Sequence, residues 1–533
     1  MNFIKKNINK IFYIFIGLFL IQAIIYIFIG AKSWLNSDST FVVDYAVEML
    51  ESHSIFPKTW INSNDFWIYS LCPFIAIFIK CGINLYTSRQ LSVFIQTIVF
   101  LYILYDFCHT CFKDKLGTKT IFFIILSGIS GEFIFELLGD GTYTTIILFM
   151  LLELTLFIKY KKTDQKKYFI SFLIIYIFLS TCSMRFPIYI ASPIICYILY
   201  SLYENNTKKK DIKELSFIIV AIIIGFLLNT ILTKVLLFEA NYYKMYPIRE
   251  STELSENVFN MIYDYLTISG ATGKNLQSLY TNHWNSFIET SSSIFIVFTF
   301  IKTIFAIVTI TIPFLLIKKF KKLSEEEKIL YIFSFSFLLI MIFFLLIGNM
   351  AWWHRYLFPI LFFLILLYPI FYKIYFSKKE KNKIVFHIAI LFFSISSLIF
   401  TTASYISYQD GKIIDNNYSG ICNFLLSRGL FFGYTQEWNE HNIYYTISNG
   451  KIRVVYLNRE NTEQKKWLSS IKWVEKDYYQ GRVFLIKRNS QKETELEKEA
   501  IARYKYKNRI ILVFESNDIV LKYLNGEKNE NNE

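Results

Sequence analysis

Seven cysteines are scattered through 533 residues, six of them in or beside apolar segments, so their spacing defines no disulfide framework. The tail after residue 405 holds only Cys422. The pair in "CHTC" (108–111) has redox or metal spacing but no second ligand pair, and at an expected helix end buried small residues are the simpler reading. Charge is scarce inside the long apolar runs, and no internal repeat is visible. Both absences argue against a carrier or flippase for lipid-linked saccharides, which would use intramembrane charges and repeated halves.

What is present is apolar. Hydrophobic residues make up 54% of the chain and aromatics 19%, with a mean hydropathy of +0.37. Soluble domains rarely sustain this, and the apolar runs recur every few tens of residues, so the chain reads as a polytopic, all-α membrane protein. A net charge of +14 does not point to nucleic acid, because the lysine clusters lie between apolar segments, where they set topology. The excess of Ile, Lys, Asn, Phe and Tyr fits AT-rich coding. "MNFIKKNINK" precedes "IFYIFIGLFLIQAIIYIFIG", whose about 20 residues have the length of a span rather than of a cleavable signal core. It is read as a retained first helix with its basic end in the cytoplasm.

The basic loops "FKDKLGTK" (112–119), "KKTDQKK" (161–167), "NTKKKDIK" (206–213), "KKFKKLSEEEK" (318–328) and "SKKEKNK" (377–383) are all assigned to the cytoplasm. The breaks "GDGT" (139–142), "MRFP" (184–187), 238–291, "NMAWWHRY" (349–356) and everything after about 405 are then external. "FWIYSLCPFIAIFIK" (66–80) is short for a span and interrupted by Pro73; the alternation holds if it lies on the membrane surface. The expectation is about 11 transmembrane helices with the N-terminus inside. Residues 1–405 form the membrane domain, with external loops 31–87 and 238–291. Residues 406–525 form a small external α+β domain, and 526–533 a disordered tail.

The first external loop contains "LNSDSTFVVDYAVEMLES" (35–52), whose spacing suits a short amphipathic helix with Asp44 and Glu48 on one face. Read alone, Asp38 in "NSDST" caps that helix and the other two acids are solvated. The order of features resembles the first loop of the GT-C superfamily of membrane glycosyltransferases, in the branch of the bacterial aminoarabinose transferases and protein O-mannosyltransferases. There an Asp opens the loop, a helix ending in Arg-Glu-Met-Leu follows, and a surface helix precedes the second span. Here "DSTFVVDYAVEMLESHSIFP" keeps the distance from Asp to "EML" and the later Pro57. Asp140 in "LLGDGTYTT" fills the position of a second acid, and "AWWHRYLFPILFF" supplies the late Arg355–Tyr356 pair. Two departures stand out: Ser39 replaces the partner acid, and "INSNDFWIY", with Asp65, stands where the family often has Lys-Pro-Pro.

The resemblance implies inverting transfer of a sugar from a polyprenyl-phosphate donor to a glycan, lipid or protein acceptor at the external face of a bacterial cell membrane. Asp38 would be the base that takes the acceptor proton, with Asp140 as a second catalytic acid. Arg355, with His354 and Arg185, would stabilise the departing phosphate. Asp44, Glu48, Asp65, His283 and Tyr356 complete the candidate substrate contacts. Each has a plainer reading: Arg355 and His354 as interfacial residues after two tryptophans, Arg185 on lipid phosphate, Asp140 as a turn residue. Asp38 and Asp140 could share a divalent cation, Mg²⁺ or Mn²⁺, since paired carboxylates suit one, but the related branches of the family do without a metal and none is assigned. A ligase of saccharide chains and a catalytically inactive relative are the remaining alternatives. In the tail, "ISNGKIRVVYLN" carries an Asn-Gly hairpin signal.

Overall fold

The computed structural model describes residues 2–30, 35–62, 65–112, 115–204, 208–236, 254–271, 283–347, 354–409, 418–458, 468–475, 477–489 and 494–524. Much of the loop 238–291 therefore lies outside the described residues. The chain forms two compact units. The first comprises Met1–Ala31, Phe94–Thr230 and Tyr243–Ile413, and the second Lys32–Val93, Ile231–Tyr242 and Ile414–Glu533. The loop after the first helix thus packs with the C-terminal residues, although chain order alone groups it with the spanning helices.

The first unit is helical. Among the described residues, eight helices are long and apolar enough to cross a membrane. A bent pair, Gly117–Leu126 and Gly131–Gly139, raises this to nine. The expected spans left over are Lys166–Cys182, of 17 residues, and Pro187–Glu204, which opens as a π-helix; both lie at the short end of the range that a span occupies. Phe135–Asp140 is π-helical, and Thr144 Oγ1 donates to the carbonyls of Glu136 (2.9 Å) and Leu137 (2.7 Å) that the wider turn exposes.

The second unit is α+β. Its five-stranded sheet runs β3-β2-β5-β7-β6, where β2 is Phe432–Thr435, β3 Arg453–Tyr456, β5 Val483–Arg488, β6 Ala502–Tyr506 and β7 Arg509–Phe514. β2 is parallel to β3 and β5, while β7 is antiparallel to β5 and β6. Phe484 and Ile486 alternate with Ile511 and Val513 on one face, against Ile421, Leu425, Ile443 and Tyr444 of two covering helices. Leu35 of the first loop enters the same core. Gly433 is required by close approach, since a Cβ there would run into the Phe484 carbonyl oxygen and ring.

The Asn-Gly signal marks a different feature from the hairpin it suggested. Asn449 (φ +53°) and Gly450 (φ +81°) end the helix His441–Ile447 in left-handed conformations. The hairpin lies later, at Lys507–Asn508, where Tyr506 pairs with Arg509.

In the first loop, the expected surface segment is a short turn, Trp67–Tyr69, followed by Cys72–Lys80. At nine residues this helix is about 14 Å long, half of a bilayer core. Strand β1 (Trp60–Ile61) pairs antiparallel with β4 (Ser469–Ser470), stitching the loop to the tail.

Candidate functional site

The helix that carries Asp38 spans Ser37–Glu51. Its cap is Asn36, not Asp38: Asn36 Oδ1 accepts from the Ser39 amide (2.7 Å), and the Asn36 amide donates to Ser39 Oγ (3.0 Å). Asp38 sits inside the first turn, half-buried, where the helix N-terminus favours negative charge. Both of its neighbours are fully buried and held. Ser37 Oγ lies 2.9 Å from His441 Nδ1, and Arg89 Nε donates to the Ser39 carbonyl at 2.6 Å.

Asp44 and Glu48 share one face, as their spacing predicts, but that face is turned into protein. Arg453 Nη1 donates to Asp44 at 2.6 Å, with its guanidinium 3.4 Å over the Tyr445 ring and 3.9 Å over that of Trp473. Burial pushes the Asp44 carboxyl up to about 7, and Arg453 pulls against that rise. Glu48 accepts from Lys472 (2.7 Å) and from the Thr59 hydroxyl. These two carboxylates are engaged by protein cations rather than solvated. Asp65 is also buried, beside the short turn Trp67–Tyr69.

The candidates of the first unit lie around Tyr143. Its ring meets that of Tyr356 edge-on at 6.0 Å. Arg185, Arg355 and Tyr189 lie within its electrostatic reach, and the Arg355 guanidinium is 5.5 Å from the Tyr356 ring. Two arginines predicted from separate motifs thus converge on one buried tyrosine. Arg185 lies two residues before the start of the π-helix Pro187–Ala191. Asp140 closes the π-helix Phe135–Asp140, followed by Gly141 at φ +79°. Gln96 Nε2 donates to the Gly141 carbonyl at 2.8 Å and fixes that turn. The side chains of Asp140, His283 and His354 lie outside the described residues, and with them the cation considered at Asp140. Among the described residues, no three His, Cys, Asp or Glu side chains cluster as metal ligands. Cys108 and Cys111 are both buried in the helix Leu85–Cys111.

Four residues around these candidates escaped the sequence reading: Arg89, His441, Arg453 and Lys472. Arg89 had a signal, as a lone arginine near the start of an apolar helix. The other three lie in the tail and have none, because their partners are some 400 positions away in the chain.

No family model matches this sequence, and no curated protein matches it by sequence. Solved structures do match. ArnT from Cupriavidus metallidurans bound to undecaprenyl phosphate aligns with a TM-score of 0.56 at 8% identity, over 93% of this chain and 97% of that chain. The fold is GT-C-like. The apo crystal structure of the same protein gives a TM-score of 0.54 at 9% identity, over the same shares. The resemblance carried by the first loop, Asp140 and the Arg355–Tyr356 pair therefore extends to the GT-C-like fold of nearly the whole chain.

Proposed function

We propose that this membrane protein is a glycosyltransferase that moves a sugar from a polyprenyl-phosphate donor to an acceptor hydroxyl at the external face, with inversion. The observation that carries this reading is a fold shared over nearly all of both chains with a protein crystallised on undecaprenyl phosphate. In the proposed step, Asp38 takes the proton of the acceptor hydroxyl, whose oxygen forms the new bond to the anomeric carbon. The bond from that carbon to the phosphate oxygen breaks, and the polyprenyl phosphate leaves with the electron pair. Arg185 and Arg355 stabilise the charge developing on it, worth more in a water-poor site than in solution. Both arginines lie within electrostatic reach of Tyr143. Asp44 and Glu48 are left with a structural part, since each already binds a cation of the protein.

Native mass spectrometry of the purified protein with co-extracted lipids, followed by transfer from the lipid it retains, tests the reading. A bound polyprenyl-phosphate monosaccharide is expected. Asp38→Asn should leave that lipid bound and lower transfer by about 10²–10⁴-fold. Retained transfer removes Asp38 from the mechanism, and a bound lipid-linked oligosaccharide in place of the monosaccharide turns the reading toward a ligase or flippase.

A further inference from the structure

We infer that His441 is a positioning residue, through which the C-terminal domain holds the first turn of the helix that carries Asp38. The inference rests on the proposed role of Asp38. Three side chains of the C-terminal residues grip that helix in order along its length: His441 at Ser37, Arg453 at Asp44 and Lys472 at Glu48. The last two act on its later turns. Of these three, His441 is the one bonded to the turn where the proposed base sits.

The imidazole is itself preset. It is buried, its centroid 4.5 Å from the Trp438 ring and 6.4 Å from that of Tyr456. The preceding residue, Glu440, is pinned by Arg509 and by the Tyr444 hydroxyl (3.0 Å). His441 Nδ1 lies 2.8 Å from the Trp438 carbonyl, which can only accept. Nδ1 therefore carries the hydrogen, shared between that carbonyl and Ser37 Oγ. The Asn442 amide is a second donor to the same hydroxyl, at 3.4 Å. The hydroxyl thus accepts from two groups on one helix of the C-terminal domain.

Asp38 is then bracketed. Its preceding residue is held by His441, and the carbonyl of its following residue by Arg89. Both neighbours are fully buried, whereas Asp38 is half-buried. A carboxylate that must meet a hydroxyl within hydrogen-bond reach depends on where its own Cα is fixed. Fixing the residues on either side fixes that Cα.

The test uses the full-length protein with two readouts, amide hydrogen exchange of residues 39–42 and steady-state transfer. His441→Ala and Ser37→Ala should each speed exchange at 39–42 by about tenfold, the scale of one buried hydrogen bond, with β5 unchanged. Both should lower kcat by a similar factor while the donor KM holds. His441→Asn should restore both, because its amide nitrogen occupies the Nδ1 position; His441→Gln, which places its amide at the Nε2 position, should not. Ser37→Ala leaves the C-terminal domain untouched and decides the matter if His441→Ala fails to fold. Wild-type exchange in Ser37→Ala overturns the inference, as does lost protection with unchanged kcat. If Asp38→Asn retains transfer, the proposed base fails instead, and the exchange readout still decides whether His441 holds the turn.

Discussion

Near their ends the spanning helices pair buried carboxylates with lysines, Asp211 and Glu214 with Lys161 and Glu327 with Lys373, but the middle of one such helix differs from the second unit. In the middle of the helix Thr142–Thr163, Glu153 is fully buried, and neither carboxyl oxygen has a hydrogen-bond partner among the described residues. In the second unit, buried charge meets opposite charge: Asp44 with Arg453, Glu48 with Lys472, Glu440 with Arg509, and Lys487 with Glu497 at 2.7 Å. The apolar helices are held by continuous hydrophobic contact and tolerate an isolated polar group. The second unit joins segments from opposite ends of the chain, and its ion pairs help to select one docking geometry. That is the registry use of buried charge, at a cost in desolvation.

The largest effect expected from breaking this contrast is at Arg453. Arg453→Ala at pH 8 leaves Asp44 buried without its cation and should cost about 3–5 kcal/mol in chemical denaturation of the second unit. Joint replacement by Asp44→Leu and Arg453→Met should recover most of that loss. If the single variant costs no more than an exposed pair would, the charges do not hold the first loop in place.

The pH response sharpens the same point. Burial raises the folded-state carboxyl of Asp44 from 3.8 to about 7, so the folded protein binds that proton more tightly than the unfolded chain does. The contribution is fully present below pH 4, declines as pH rises, and is gone above 7. The window is worth about 4 kcal/mol at 1.4 kcal/mol for each pH unit. Denaturation midpoints should therefore fall between pH 4 and 7, and Asp44→Asn should flatten that slope. An unchanged slope would assign it to other carboxyls.

The smallest effect belongs to the other side of the comparison. Glu153→Gln removes no hydrogen bond and keeps the side chain's shape, so the denaturation midpoint should shift by less than the equivalent of about 1 kcal/mol. A large loss would show that Glu153 has a partner supplied by residues outside those described.

Much of the helical structure was legible because the information is local. A run of apolar residues sets a helix's length, as in Lys10–Phe28 and Lys209–Val235, and nine residues are too few for Cys72–Lys80 to span. Spacing by four put Asp44 and Glu48 on one face, and "NSDST" announced a helix start. Local pattern did not choose between Asn36 and Asp38 as the cap, since both types cap well. Nor did it separate an Asn-Gly hairpin from an Asn-Gly helix stop, since both need left-handed residues.

What the sequence by itself determined is where the helices run, how long they are and which face of each is apolar, because those depend on residues a few positions apart. Only the tertiary structure decided that Arg453 would hold Asp44 from 409 positions away, and His441 would hold Ser37 from 404. Many lysines and arginines could pair with a given carboxylate. The one that does is chosen by the packing of distant segments, which no local pattern encodes.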